Sequence, residues 1–346
     1  MKADDTQRLA ERKARIDDRL DGGRQWESLR PLVEGTNLHY EVAGRVNATS
    51  AGGIGLVHEC MRTLGLADAL DRNVTVFKRH FPYHESDHIL NLIYNIMTGG
   101  TCLEDIERLR QDEVYLEMLG AERVPDPTTA GDFLRRFGQD AIMGLMAAIN
   151  EVQLKVWAKL PKKKRALALI DVDGTIAPTT GECKEGMGLS YKGTWSYAPL
   201  LVTLANTNEV LSVANRPGNE TSHQGAAWYM DQAIDLVLSG GFRRVRLRGD
   251  TAFSLTQNFD RWDEEAVEFV FGYSASKGVV DQAEFLPEQV WQPLKRRTKR
   301  VRSTAPRARP ENVKQRIVKE NGYTNFHLEE EHITEFEYQP GACKKP

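Results

Sequence analysis

Three aspartates carry the strongest chemical signal in the chain. Asp171 and Asp173 stand two residues apart at the end of the apolar run 166–173, and Asp250 ends a second run, Val245–Asp250. A regular strand has a side-chain period of two, so Asp171 and Asp173 share one face. If the two runs lie side by side, the carboxylates meet at one end of a sheet, where close like charges are costly unless a divalent cation sits between them. Magnesium held in this way performs two-metal phosphoryl transfer, activating the attacking oxygen and stabilising the leaving one. A lone strand-end Asp more often caps a loop or starts a turn. Two such strand ends converging in one topology weigh against that plainer reading.

Phosphate-binding chemistry is concentrated elsewhere. Residues 295–309 hold eight basic side chains in fifteen positions and no acid, with Arg296, Arg297, Lys299, Arg300 and Arg302 at the centre. Such a tract neutralises several phosphates and makes binding steeply salt dependent, or else is a solvated charge run. Arg135 and Arg136, on a helix after a Pro-rich turn, are further DNA-contact candidates, as is Lys192 in the loop after the first strand. Trp195 in that loop offers a stacking surface for an unpaired base, although a loop Trp more often packs under its own loop. His80, His84 and His88 recur at a spacing of four in a Pro-containing loop and do not form a zinc pattern. His223 stands at a helix start, where a residue without a chemical role is the simpler reading.

The bulk properties narrow the function classes. The chain has 346 residues, with 40% hydrophobic and 27% charged, which suits a soluble protein of about two domains. No run approaches the ~20 apolar residues needed to cross a bilayer, and the charged N-terminus lacks the apolar core of a secretory signal. A cytoplasmic protein with no membrane contact is expected. Cys60, Cys102, Cys183 and Cys343 are isolated singles, which argues for reduced thiols and against a disulfide framework or a structural zinc site. The net charge of −3 suggests no nucleic-acid partner by itself. It conceals the +8 of residues 295–309, which leaves −11 on the other 331 residues.

Elements of definite type must position these groups. Residues 1–35 read as a charged arm, and 36–160 as a helical, DNA-binding region. Within the latter, Thr101 and Glu104 form a capping box, Thr129 is an N-cap, and a helix runs roughly from Ala141 to Trp157. After the basic turn Lys162–Arg165 the pattern changes to that of residues 161–276. The strands there are 166–173, 200–205, 210–214, 245–250 and 267–273, with helices over 224–239 and 253–265. The turn 206–209 makes the second and third strands a hairpin, and a Gly-rich connection separates the first strand from the second. Beyond 277 come the basic tract and a strand pair, Phe326–Leu328 and Ile333–Tyr338. Three strands opening with a meander, then two helix–strand units, describe a mixed sheet in the order of a ribonuclease H-like core. The fold class expected is α+β / α/β: a helical N-terminal region, that core, and the start of a β-rich insertion domain.

At this point the residues meet a known pattern. Leu169–Thr175, Tyr191-Lys192-Gly193, Pro199-Leu200-Leu201, Arg216-Pro217-Gly218-Asn219 and Leu247-Arg248-Gly249-Asp250 resemble the catalytic core of bacterial insertion-sequence transposases of the DDE superfamily. Gly99-Gly100, Leu103-Glu104-Asp105, Leu109-Arg110, Pro127-Thr128-Thr129 and Phe133–Phe137 resemble the helical region of the same family. The resemblance implies a transposase that binds double-stranded DNA at transposon ends and target, cleaves and joins it, and works as a homodimer. It implies Mg2+, with Mn2+ able to substitute, and gives Asp173 as first acid, with Asp171 as second choice, and Asp250 as second acid. The family's third acid, a Glu on a helix after an inserted domain, has no counterpart. Glu329, Glu330, Glu331, Glu335 and Glu337 alternate in a strand-like segment and read as a solvated face. The chain therefore resembles a transposase shortened at its C-terminus, and weak or no catalysis is expected of it alone.

Two other readings compete. Asp171-Val172-Asp173-Gly174-Thr175 also resembles the opening motif of haloacid dehalogenase-like phosphatases, with Asp171 as nucleophile and Asp173 as general acid and base. That fold would continue strand–helix–strand, and would place an acid four or five positions after Asp250, where Ser254 and Leu255 stand. The third reading is a non-catalytic DNA-binding protein.

Overall fold

The computed structural model describes residues 48–78, 82–180, 184–294 and 332–345, together with parts of an N-terminal helix, α1, at residues 7, 10–15 and 17. Most of the charged arm, Cys183, His80, the basic tract with Arg296, Arg297, Lys299, Arg300 and Arg302, and the expected strand at Phe326–Leu328 lie outside the described residues. The chain falls into two compact units, 1–48 and 49–346. All elements below belong to the second. Among the described residues no helix is long and apolar enough to cross a membrane.

The helical part of this unit comprises α2 (Ile54–Leu64), α3 (Leu66–Asn73), α4 (Glu85–Met97), α5 (Ile106–Arg110), α6 (Glu113–Leu119), α7 (Pro127–Leu134) and α8 (Gln139–Ala158). Its apolar stripes close over two small cores, one around Leu70, Val74, Phe133 and Ala148 and the other around Ile54, Tyr94, Leu109 and Tyr115. Gly65, at φ 71°, makes the left-handed break between α2 and α3 that a side chain would resist.

Two expected caps fall on other residues nearby. The Thr101–Glu104 box is replaced by Asp105, whose Oδ2 accepts from the backbone N–H of Thr101 at 2.7 Å and of Cys102 at 3.1 Å. The chain enters α5 through a three-residue 3-10 turn, Leu103–Asp105, and this shifts the reach of the capping side chain by one residue. For α7 the N-cap is Asp126, not Thr129, and it accepts from Thr129 N–H at 2.9 Å. Pro127 supplies the first helical φ, so the helix starts three residues earlier than the threonine suggests.

The second part is built on strands β1 (Ala168–Gly174), β2 (Ala177–Pro178), β3 (Gly188–Leu189), β4 (Trp195–Tyr197), β5 (Leu200–Leu204), β6 (Glu209–Ala214), β7 (Val245–Gly249) and β8 (Glu268–Phe271). Five of them form one sheet in the order β6-β5-β1-β7-β8. β5 is antiparallel to both β1 and β6, whereas β7 is parallel to β1 and β8. The fold is mixed α and β, with the strand order and directions of a ribonuclease H-like core. Helix α9 (Ala226–Ser239) makes the crossover from β6 to β7. It buries Ala226, Met230, Ala233, Ile234 and Val237 in one cluster with Ile170, Val172, Val202, Leu204 and Leu247. Because strand side chains alternate, burying Ile170 and Val172 on that face puts Asp171 and Asp173 on the other. Trp157, at the end of α8, enters the same core and donates from Nε1 to Glu209 Oε2 at 2.7 Å, tying the helical part to the sheet.

Three local differences from the expected elements have physical causes. The helix expected over 253–265 is two 3-10 turns followed by α10 (Phe259–Glu264), because Ser254 takes ψ 69° and breaks helical geometry. The Gly-rich connection contains a second sheet, β2-β4-β3. Its strands are two or three residues long, too short for a periodicity to register. Finally, α11 (Lys277–Glu284) leads to β9 (Gln292–Pro293), which pairs with β10 (His332–Ile333). The strand expected over 333–338 therefore stops at Ile333. Its alternation nevertheless persists in the irregular segment that follows, with Phe336 and Tyr338 half-buried and Glu335 and Glu337 exposed.

Packing gives two predictions. A Cβ on Gly144 of α8 would meet the Asn73 carbonyl oxygen at 2.0 Å, so the two backbones approach as closely as glycine permits. Gly144→Ala is expected to lower stability by roughly 1–3 kcal/mol, read as a shift of the urea midpoint. The second concerns His88, which is buried, stacks on Phe133 at a centroid distance of 4.4 Å, and is held below its ordinary pKa of 6.5 chiefly by burial. The unfolded chain then binds the proton more readily than the fold, so the stability contributed by neutral His88 is complete above pH 6.5 and declines as pH falls below it. Urea unfolding at pH 7.5 and about 5.5 is expected to show a smaller acid loss for His88→Phe than for the parent; equal losses would assign the acid sensitivity elsewhere.

Candidate metal-binding carboxylate site

The parallel pairing of β1 and β7 aligns Asp171 with Arg248. Asp173 and Asp250, each two residues further on, lie at the same end of these neighbouring strands. Gly249, just before Asp250, permits the approach, since a Cβ there would meet Val172 Cγ1 and Phe253 Cβ at 3.0 Å. Asp171, Asp173, Arg248 and Asp250 line one open depression of about 700 Å³, together with Leu201 and Thr203. The structure thus brings together all three aspartates singled out in the sequence.

The three are not equivalent. Asp171 is half-buried, and both its oxygens are engaged by Arg248, from Nε at 2.6 Å and Nη2 at 2.8 Å. This fork-to-fork pair raises the Arg248 pKa, the hydrogen bond to Asp171 being the largest cause. Asp173 is exposed and has no hydrogen bond or ion pair with a described residue. Asp250 is exposed and begins the turn Thr251–Phe253, its Oδ1 accepting from Ala252 N–H at 2.9 Å. The strand-end cap foreseen as the plainer role is therefore present at Asp250, and it engages one of the two oxygens.

Two carboxylates with unspent acceptor capacity at one sheet end suit Mg2+, which is usually bound by one or two carboxylates and keeps several waters or phosphate oxygens. Among the described residues no group of three or more His, Cys, Asp or Glu is placed to hold a metal. The donor set fits an ion that takes its remaining ligands from water and substrate.

Two positioning arginines went unremarked as such in the sequence. Arg248 is one; the alternation Val245-Arg246-Leu247-Arg248 puts it on the carboxylate face, which was the available signal. The other is Arg216, which donates from Nε to Ala198 O at 3.0 Å and from Nη1 to Ser222 O at 3.1 Å and Gln224 O at 2.8 Å. Burial lowers its pKa, and its guanidinium ties the loop before α9 to the base of the small sheet. The remaining candidates stand apart from the depression. Arg135 is exposed and pairs with Asp132 at 2.7 Å, and Arg136 lies 5.3 Å above the Phe77 ring. Lys192 is exposed on the β3–β4 turn, and His223 is exposed before α9.

The family model described as Transposase DDE domain group 1 matches residues 30–340. Among solved structures, the chain is similar to the piggyBac transposase of a cryo-EM synaptic complex with hairpin DNA, at 12% identity and a TM-score of 0.34. That match covers 68% of this chain and 54% of the other, so the chain spans about half the length of that transposase. No curated protein matches. With a family match running over most of its length, the chain belongs to the transposase DDE domain group 1 family.

Proposed function

We propose that the protein is a DNA transposase of a bacterial insertion sequence, which binds transposon ends and performs metal-dependent cleavage and strand transfer. One observation carries this reading beyond family membership. Asp173 and Asp250 stand exposed at level ends of adjacent parallel strands, while the nearby Asp171 is neutralised by Arg248. Asp173 and Asp250 would hold Mg2+ or Mn2+, which supplies Lewis-acid activation of the attacking oxygen and charge neutralisation at the leaving one. The Arg248–Asp171 pair occupies both Asp171 oxygens, which limits the negative charge facing an incoming phosphate. The depression is open on one side, as a phosphodiester in a duplex requires.

The other parts take roles consistent with this. Residues 36–160, with Arg135 and Arg136, serve DNA binding, and 161–276 form the catalytic core. Residues from 277 onward begin the insertion domain and supply Arg296, Arg297, Lys299, Arg300 and Arg302 for backbone phosphates. Lys192 contacts DNA near the carboxylates. The protein works in the cytoplasm, as a homodimer on paired ends. The phosphatase alternative is disfavoured because its nucleophile, Asp171, has both oxygens engaged by Arg248.

Calorimetric titration with Mn2+ and a cleavage assay on end-containing duplex test the assignment. Asp173→Asn and Asp250→Asn are each expected to weaken ion binding and, in a full-length version that carries the third acid, to abolish cleavage while DNA affinity is kept. Asp171→Asn is expected to retain ion binding, and an equal loss there would make Asp171 the ligand in place of Asp173. For the basic tract, replacing the arginines at 296, 297, 300 and 302 by Ala should reduce the slope of log affinity against log salt by roughly 0.9 per lost phosphate contact; an unchanged slope would return the tract to a solvated charge run.

A further inference from the structure

We propose that the small sheet β2-β4-β3 is a stacking platform for an unpaired DNA base beside the carboxylate site. The proposal rests on the DNA-processing reading above and adds a ligand-binding surface to it. The platform is inserted between β1, which carries Asp173, and β5. Thr175 N–H donates to Pro199 O at 3.0 Å, and Ala198 N–H to Arg216 O at 2.7 Å. The base of the small sheet is thereby pinned to the end of the main sheet at which Asp173 and Asp250 stand.

Its two faces differ sharply. One face is packed: Ser196 is wholly buried, and its backbone and hydroxyl lie so close to Gly218 that a Cβ there would meet Ser196 Oγ at 2.4 Å. The other carries Trp195 and Leu189, cross-strand partners in the β3–β4 register, which are 55% and 50% exposed, and Tyr191 on the turn is 85% exposed. Apolar side chains of this size grouped on a narrow sheet mark a surface awaiting a flat apolar partner.

The presentation is rigid. Ser190 N–H donates to Thr194 O at 2.9 Å, Gly193 N–H to Ser190 O at 2.8 Å, and Gly193 takes the left-handed φ of 72° that the tight turn needs. Tyr197, on the same face as Trp195, donates its hydroxyl to Glu185 O at 2.7 Å. The backbone that carries the rings is therefore fixed before any ligand arrives, which reduces the ordering cost of binding.

Charge selects the partner. Lys192 Nζ lies 5.5 Å from the centroid of the Tyr191 ring, so an ammonium and an aromatic face are offered together. Lys184, also exposed, reaches the Thr179 hydroxyl of the same small domain. A nucleotide answers both features, with its base on the ring and its phosphate at the ammonium, and exposed sheet aromatics bind single-stranded nucleic acid by this means.

Fluorescence anisotropy with a blunt duplex, and with the same duplex carrying a three-nucleotide unpaired tail, tests the proposal on the full chain. The parent is expected to prefer the tailed duplex and to quench 2-aminopurine placed in the tail. Trp195→Ala should weaken tailed-duplex binding by roughly 10-fold and remove the quenching, Tyr191→Ala should weaken it less, and Trp195→Phe should retain most of the affinity. Tailed-duplex binding by Trp195→Ala equal to that of the parent overturns the platform while leaving the transposase reading intact. So does an equal loss on blunt and tailed DNA, or a change only in self-association, which would make the face a protein interface. Failure of the parent to bind either duplex overturns the DNA-processing reading itself.

Discussion

The parallel pairing of β1 with β7 is the contact on which the rest of the molecule depends. It joins residues 77 positions apart, Asp171 and Arg248, and it is possible only because α9 carries the chain back across one face of the sheet. That crossover buries α9 against Ile170, Val172 and Leu247 and leaves the opposite face to the charged residues. Carboxylates on adjacent strand ends repel one another, and the protein answers with one guanidinium in a two-pronged bond to Asp171. The pair is partly exposed, so its value lies less in stability than in deciding which carboxylates remain available.

The same logic of close approach recurs at some distance from the carboxylates. Gly249 lets β7 lie against Val172 and Phe253, and Gly144 lets α8 lie against the end of α3. Helix α8 is the mechanical link between the two parts of the fold. Its first half packs among the helices, and its last turn delivers Trp157 into the core beneath the sheet, anchored to Glu209 on β6. A disturbance of the helical part would therefore be felt at the edge strand β6, and through Arg216 at the loop before α9.

Much of this was legible in the chain itself. The run 166–173 and the alternation in 245–250 identified β1 and β7, and the change from helical to strand period after Lys162–Arg165 located the join between the two parts. The three aspartates were visible as strand-end carboxylates. What escaped notice depended on very short elements or on neighbours distant in sequence. The sheet β2-β4-β3 has strands of two or three residues, so no periodicity could register, and the Asp105 and Asp126 caps depend on turn geometry that moves them one and three residues from the expected positions. The helix expected over 253–265 failed because the backbone turns at Ser254, a choice made by packing of Phe253 and Leu255 into the core.

The amino-acid sequence by itself determined the order and type of the main elements, the family, and which residues bear charge, because these rest on local periodicity and residue chemistry. Only the tertiary structure decided that Asp171 is occupied and Asp173 is not, since that depends on an arginine 77 residues away brought alongside by strand pairing. It alone decided that Trp195 faces outward instead of packing under its loop, because burial of Ser196 on the opposite face leaves the Trp ring no interior to enter.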